Sequence, residues 1–244
     1  MNAIEITGIT KCYGDKTAVD SLSLDVKNGE LFSLLGVNGA GKTTLIKMLS
    51  CLLKPNGGDA KILGKSIVSQ SDGVKKLINL STQETAVAPN LTVIENLQMI
   101  AGIYGMEKEE ASAEIDKMIK SLSFEEFKNQ RAKTLSGGWQ RKLSIAMALI
   151  TKPRVLFLDE PTLGLDVLAR RELWDFVRSL KGKMTIILTT HYMEEAESLS
   201  DRIGVMINSR LVAVGTLQEL MKNTNTENVE EAFIKIAGGG INEN

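Results

Sequence analysis

The sequence predicts an α/β fold: a mostly parallel sheet with helices packed on it, a pair of strands ahead of it, and a helical insertion. Three observations predict it. Short runs at 30–35, 155–158 and 184–190 are rich in apolar residues, the second without a break, which suits strands buried on both faces of a parallel sheet. Stretches with helical spacing of apolar residues alternate with them. The first run also passes through Gly36-Val37-Asn38-Gly39-Ala40-Gly41-Lys42-Thr43-Thr44 into an apolar helical stretch at 45–53. Strand, glycine loop and helix in that order are the setting that the G-x-x-x-x-G-K-[ST] pattern requires.

That loop organises the chain. Its glycines let backbone N–H groups turn inward around an anion. The helix start adds unpaired donors and a partial positive charge. Lys42 is placed to reach the β- and γ-phosphates, and the Thr43 hydroxyl to ligate Mg²⁺. The loop therefore reads as a nucleoside triphosphate site, without saying what the energy is used for.

The remaining elements follow in order. Residues 2–10 and 17–26 alternate apolar and polar side chains and read as two strands, joined by a turn at 11–16. Tyr13, one of three tyrosines, sits in that turn, where its ring could stack on a base or be half-buried. After the loop helix a turn at 54–59 leads into a short strand at 59–63, and a second strand at 77–82 ends at Gln83. Thr92-Val93-Ile94-Glu95 has capping-box spacing and starts a helix over 93–104. A second helix, 108–121, carries Ile115, Met118, Ile119 and Leu122 on one stripe. Residues 84–130 thus read as a helical insertion.

Ser136 can cap the next helix, which packs inward through Leu143, Ala146, Met147 and Ile150. With Gly137 and Gly138 behind it, this is a second glycine-rich helix start. The strand at 155–159 ends in two carboxylates. At a parallel strand's carboxyl end Asp159 can hold Mg²⁺ through water, and Glu160 can polarise an attacking water. Asp166 can cap a helix with Leu173, Phe176, Val177 and Leu180 at helical spacing. The strand at 184–190 ends at His191, the only histidine, in the same kind of position as Asp159. Residues 193–199 read as a helix, and 202–208 and 211–215 as a hairpin turning at Ser209-Arg210. A helix follows from the capping box at Thr216, then a polar linker at 222–228, a short helix at 229–236 and a disordered tail from Ala237.

Composition narrows the function classes. A net charge of −1 gives no electrostatic footprint for nucleic acid. The cysteines, Cys12 and Cys51, fit no metal-ligand spacing; both are expected to be reduced, Cys51 in the core, in a cytosolic chain. The first residues lack the basic stretch and apolar run of a signal peptide. No segment approaches the length that crosses a bilayer, so a membrane role has to come through a partner.

In this order the stretches closely resemble the ATP-binding subunit of ABC transporters, over about residues 3–220. The most specific element is Leu135-Ser136-Gly137-Gly138-Trp139-Gln140, which other P-loop families do not carry between the glycine loop and the acidic strand. The resemblance implies a P-loop NTPase core with a mostly parallel sheet, an N-terminal antiparallel β subdomain and a helical subdomain. It implies an ATP-binding domain over residues 1–220, with the helical subdomain at about 84–150, and a C-terminal extension over 221–244. It also implies roles. Gln83 resembles the glutamine that contacts Mg²⁺ and the lytic water, Tyr13 the adenine-stacking aromatic, and His191 the histidine at the γ-phosphate. Residues 163–166, ending at Asp166, resemble the loop that communicates across a dimer. Ser136, Gly137 and Gly138 look like the part that closes over ATP held by a second copy. Trp139 occupies a position that varies in the family.

The resemblance further implies a head-to-tail dimer around two ATP, working on a separate membrane permease at the cytoplasmic face of the cell membrane. Residues 190–197 and 229–233 look like bacterial exporters of the drug-resistance type. Importer subunits share most of the other motifs. Soluble ABC proteins acting on ribosomes or DNA usually carry two ATP sites or a long coiled coil, and neither is present here. A kinase would need an acceptor site but no Ser136-Gly137-Gly138, and a guanine-specific protein would usually show an Asn-Lys-x-Asp base reader, which is absent.

Overall fold

The computed structural model describes residues 1–238. Two sheets form it. The first is antiparallel, in the order β2-β1-β4-β5, from β1 (Asn2–Tyr13), β2 (Lys16–Lys27), β4 (Gly57–Ile62) and β5 (Lys65–Ser66). The second has the order β10-β9-β3-β8-β7-β6, from β3 (Leu31–Leu35), β6 (Ile78–Ser81), β7 (Val155–Asp159), β8 (Thr185–Thr190), β9 (Arg202–Ile207) and β10 (Arg210–Gly215). Its pairings are parallel except β9 with β10. As the apolar runs predict, every residue of β3, β7 and β8 is buried.

The helices are α1 (Lys42–Leu49), α2 (Ser71–Lys75), α3 (Val93–Ile103), α4 (Lys108–Ser121), α5 (Gly137–Leu149), α6 (Val167–Leu180), α7 (Met193–Leu199), α8 (Leu217–Thr224) and α9 (Val229–Ala237). One core packs α3, α4, α5 and α6 against one face of the parallel sheet. A second joins the antiparallel sheet, α1 and the opposite face through Phe32, Phe157 and Met206. A smaller one seats α7, α8 and α9 on β9. The helix α5 buries every residue from Arg141 to Leu149, which fits its position inside the first core.

Local chemistry sets the helix starts as expected at 92 and 216, where both capping boxes are closed: Glu95 N donates to Thr92 Oγ1 and Thr92 N to Glu95 Oε2, with the same exchange between Thr216 and Glu219. Other expectations are corrected. The first turn is confined to Gly14 and Asp15, because pairing continues to Tyr13 and Lys16. The loop helix stops at Leu49, since Cys51 takes a left-handed conformation (φ 59°), and Cys51 is half-buried rather than in the core. The late hairpin turns at Asn208-Ser209, where both φ are positive. The polar segment from 222 is helical to Thr224. The elements β5 and α2 carry too few residues for a periodic pattern. Of the expected tail, Ala237 ends α9, and 239–244 lie outside the described residues. Among the described residues no helix is long and apolar enough to cross a membrane.

A buried amide ties α3 to the loop that precedes it. Asn96 is fully buried in α3; its Oδ1 accepts from Ala88 N (2.8 Å), and its Nδ2 donates to the carbonyls of Ala88 (3.1 Å) and Thr92 (2.9 Å). It therefore closes the loop that follows Gln83. Replacement of Asn96 by Leu keeps the volume and strips these partners. Stranded buried polar groups cost about 1–3 kcal/mol each, so we expect a loss of about 2–4 kcal/mol. A thermal melt should show the midpoint lowered by roughly 5–15 °C, and proteolysis should cut first within 84–92.

Candidate nucleotide-binding site

The sheet register builds the site. Leu35 pairs with Thr190, and Asp159 with Thr189. The loops after β3, β7 and β8 consequently leave the sheet at one level, at the carboxyl ends of neighbouring parallel strands, where open α/β sheets bind ligands. A cleft of about 490 Å³ opens there. Asn38, Gly39, Ala40, Gly41, Lys42, Thr43 and Thr44 line it, with Tyr13, Gln83, Glu160 and His191. Lys16 and Ala18 of β2 and Leu163 complete the wall. Motif reading missed Lys16 and Ala18, since nothing in a strand sequence shows which loop it will cover.

The glycines are dictated by space. Gly41, the N-cap of α1, has φ 106°, and a Cβ there would lie 2.1 Å from the Ala18 carbonyl and 2.6 Å from Met206 Cε. A side chain on Gly36 would meet the Met206 carbonyl at 2.4 Å. Gly36 and Val37 do not line the cleft; their carbonyls accept from Lys42 Nζ, at 2.6 and 3.2 Å.

The charged groups meet at the cleft floor. Lys42 is 5 % exposed, and its Nζ lies 3.3 Å from Glu160 Oε1. Glu160 Oε2 lies 2.8 Å from His191 Nδ1. Asp159 Oδ1 accepts from Thr43 Oγ1 (3.1 Å) and from the Thr189 hydroxyl. Glu160 has left-handed backbone (φ 49°), which carries its side chain out of the strand's pleat toward Lys42, and its N–H is held by the Thr189 carbonyl and hydroxyl, each at 3.1 Å. Behind this turn Glu195 is fully buried and accepts from the Thr162 hydroxyl (2.8 Å) and Trp174 Nε1 (3.1 Å). Burial pushes its carboxyl above the usual carboxylate range, opposed by hydrogen bonds from Thr190, Thr162 and Trp174.

The donor set can be tested against Mg²⁺. Among the described residues no cluster of three His, Cys, Asp or Glu could hold a metal alone. One hydroxyl and one carboxylate at hydrogen-bond distance, beside a phosphate-sized cleft, suit an ion that keeps waters and takes phosphate oxygens. The residues therefore fit magnesium bound together with a nucleotide.

The other predicted residues lie elsewhere. Ser136 and Gly138 line a separate cavity of about 220 Å³ with Trp139, Lys142, Asp166 and Leu168. Gly137 begins α5. Asp166 caps α6, its Oδ1 accepting from Leu168 N and Ala169 N, both at 2.9 Å. Ser136 stands at the N-cap of α5, yet its side chain makes no capping hydrogen bond. Gly138 admits close packing of α5 on α6: a Cβ would lie 2.9 Å from Ala169 Cβ. None of residues 136–138 lines the cleft that holds Lys42 and Glu160.

Comparison with known proteins places this architecture. The family model described as ABC transporter matches residues 19–163. The daunorubicin resistance ATP-binding protein DrrA3 of Streptomyces coeruleorubidus is 41 % identical over 229 residues, covering 93 % of this chain and 72 % of its own length. The Nod factor export ATP-binding protein I of Rhizobium etli is 40 % identical over 245 residues, covering 100 % of this chain and 76 % of its own. Among solved structures, an ATP-binding subunit of an ABC transporter superposes with a TM-score of 0.85 at 26 % identity, over 96 % of this chain and 99 % of that one. A dimeric ATP-binding cassette in a post-hydrolysis state with ADP and Pi superposes with a TM-score of 0.78 at 27 % identity, over 88 % of this chain and 98 % of that one. With the glycine loop, the acid-ended strand and the second glycine-rich helix start all in place, the chain belongs to the ABC transporter family, as one of its ATP-binding, ATP-hydrolysing subunits.

Proposed function

We propose that two copies of this chain close head to tail around two ATP molecules and drive a separate membrane permease, as the motor of an exporter. One observation carries this reading: the cleft with Lys42 and Glu160 and the turn at Ser136–Gly138 line different cavities of one chain. Backbone donors at a helix start and a serine side chain with no capping bond then have a ligand only if a second molecule brings one. In this arrangement residues 1–220 form the cassette, with its helical subdomain at about 84–150, and 221–244 form an extension.

Within one cleft the roles follow from position. Tyr13, half exposed at the rim, supplies a flat apolar face for adenine. The N–H groups of 39–44 take the phosphates, and Lys42 takes the β- and γ-oxygens. Thr43, and Asp159 through water, would hold magnesium, which would supply neutralisation of phosphate charge when bound. Gln83 orients the attacking water, Glu160 accepts its proton, and His191, in contact with Glu160, reaches the γ-phosphate. Catalysis here is positioning and charge neutralisation. The work comes from ATP favouring the closed pair, with hydrolysis resetting it.

The export direction rests on the relatives named for drug resistance and Nod factor export, and on the stretches at 190–197 and 229–233. Peripheral attachment to the cytoplasmic face of the membrane, through the helical subdomain, completes the reading.

Replacement of Lys42 by Ala should weaken ATP binding about 10–100-fold, since a buried charge-assisted contact is lost; equilibrium titration measures it, and an unchanged curve would remove Lys42 from the phosphates. Replacement of Glu160 by Gln should leave ATP affinity in place and lower turnover by roughly 10²–10⁴. Sedimentation of that variant with ATP and magnesium should show a dimer, and adding Ser136→Ala should abolish the dimer without loss of binding. A chain that stays monomeric throughout would sink the two-copy reading. Purification from membranes should bring down a multi-span permease; recovery only with ribosomes or DNA would overturn the transporter assignment.

A further inference from the structure

Arg141 lies in α5 and is 3 % exposed. Its guanidinium has five N–H donors, and all five are used. Nε donates to the Pro161 carbonyl at 2.7 Å. Nη1 donates to the carbonyls of Thr82 and, at 2.9 Å, Gln83. Nη2 donates to the carbonyls of Asp159, at 3.2 Å, and Glu160. Every acceptor is backbone, and the five belong to two segments: the one leaving β6 and the one leaving β7.

These segments carry the groups that handle water in the reading proposed above. Gln83 follows β6 and Glu160 follows β7, and no β6–β7 pairing reaches beyond Ser81 and Leu158. The ladder stops before the two functional residues, and the guanidinium takes over where it stops. The turn it grips contains the left-handed Glu160, a conformation that a side-chain-bearing residue keeps only when its surroundings fix it. A planar fork with donors on three nitrogens sets both segments at fixed spacing; an ammonium, with three donors from one point, cannot span them.

We propose that Arg141 is a positioning residue for ATP hydrolysis: by bonding the carbonyls on both segments it holds Gln83 and Glu160 at the spacing that the attacking water requires. It touches neither nucleotide nor water and acts through those two residues. This inference rests on the ATPase reading and on Glu160 as its base.

The test uses the full chain and the variants Arg141→Lys and Arg141→Gln, each alone and combined with Glu160→Gln. With folding checked by circular dichroism and a thermal melt, Arg141→Lys should lower kcat by about 10–100-fold, the scale of a misplaced catalytic group, while the ATP dissociation constant stays within about 2-fold. In the Glu160→Gln background the same change should cost less than about 3-fold, because the group it positions is already disabled. An arginine that serves only stability would lose the same factor in both backgrounds, and that result overturns the proposal. So would a weakened ATP affinity at unchanged kcat, or both variants unfolding at the assay temperature. A Glu160→Gln protein that hydrolyses ATP normally would sink the reading beneath it, whereas a fully active Arg141→Lys protein removes only the role given to this arginine.

Discussion

Everything in the site follows from the parallel register that sets Leu35 beside Thr190 and Asp159 beside Thr189. Because β3, β8 and β7 stop together, a glycine loop, a histidine and an acid pair leave the sheet within contact distance of one another. Each strand is buried on both faces, so none can slip by one residue without turning its apolar set the wrong way. The chemistry therefore inherits its precision from hydrophobic packing.

The buried charges at the cleft floor make that precision matter. Lys42 and Glu160 are both about 5 % exposed, and each has the other as a partner. Two such charges tolerate burial only with good geometry and further hydrogen bonds, which the Gly36 and Val37 carbonyls give the lysine and His191 gives the glutamate. A triphosphate entering the cleft offers Lys42 a more highly charged partner than a carboxylate. In the function proposed for this cleft, nucleotide binding and release of Glu160 from the lysine would be one exchange.

Much of this was legible in the sequence, for identifiable reasons. The glycine loop, the acid-ended strand and both capping boxes are local patterns, each decided by a few neighbouring residues, and the structure has all of them where spacing puts them. What spacing could not reveal depends on distant neighbours. Arg141 reads as one more charge beside a helix start, and only the packing of α5 under β6 and β7 shows where its five donors go. Asn96 belongs to no sequence pattern, and its partners appear only where the loop at 84–92 folds over it. Cys51 looked like a core residue because its neighbours are apolar, yet the helix ends two residues earlier and turns it partly outward. Local pattern names the chemistry; the buried polar groups that hold it in place are set by long-range contacts.

Trp139 shows the same division inside one motif. The serine and first glycine before it are an exposed helix start, whereas the tryptophan faces the helical region. Its ring centroid lies 5.2 Å from that of Phe124 and 4.5 Å from that of Phe127, and Lys142 Nζ sits 4.3 Å from the Trp139 ring centroid. Tilted aromatic contacts of this kind contribute about 0.5–1.5 kcal/mol each beyond area burial. Trp139 fastens the start of α5 to the segment around Phe124 and Phe127. The helix α5 thus joins two sites: its start lines the cavity where a second copy is proposed to bind, and its second turn grips the backbone of Gln83 and Glu160.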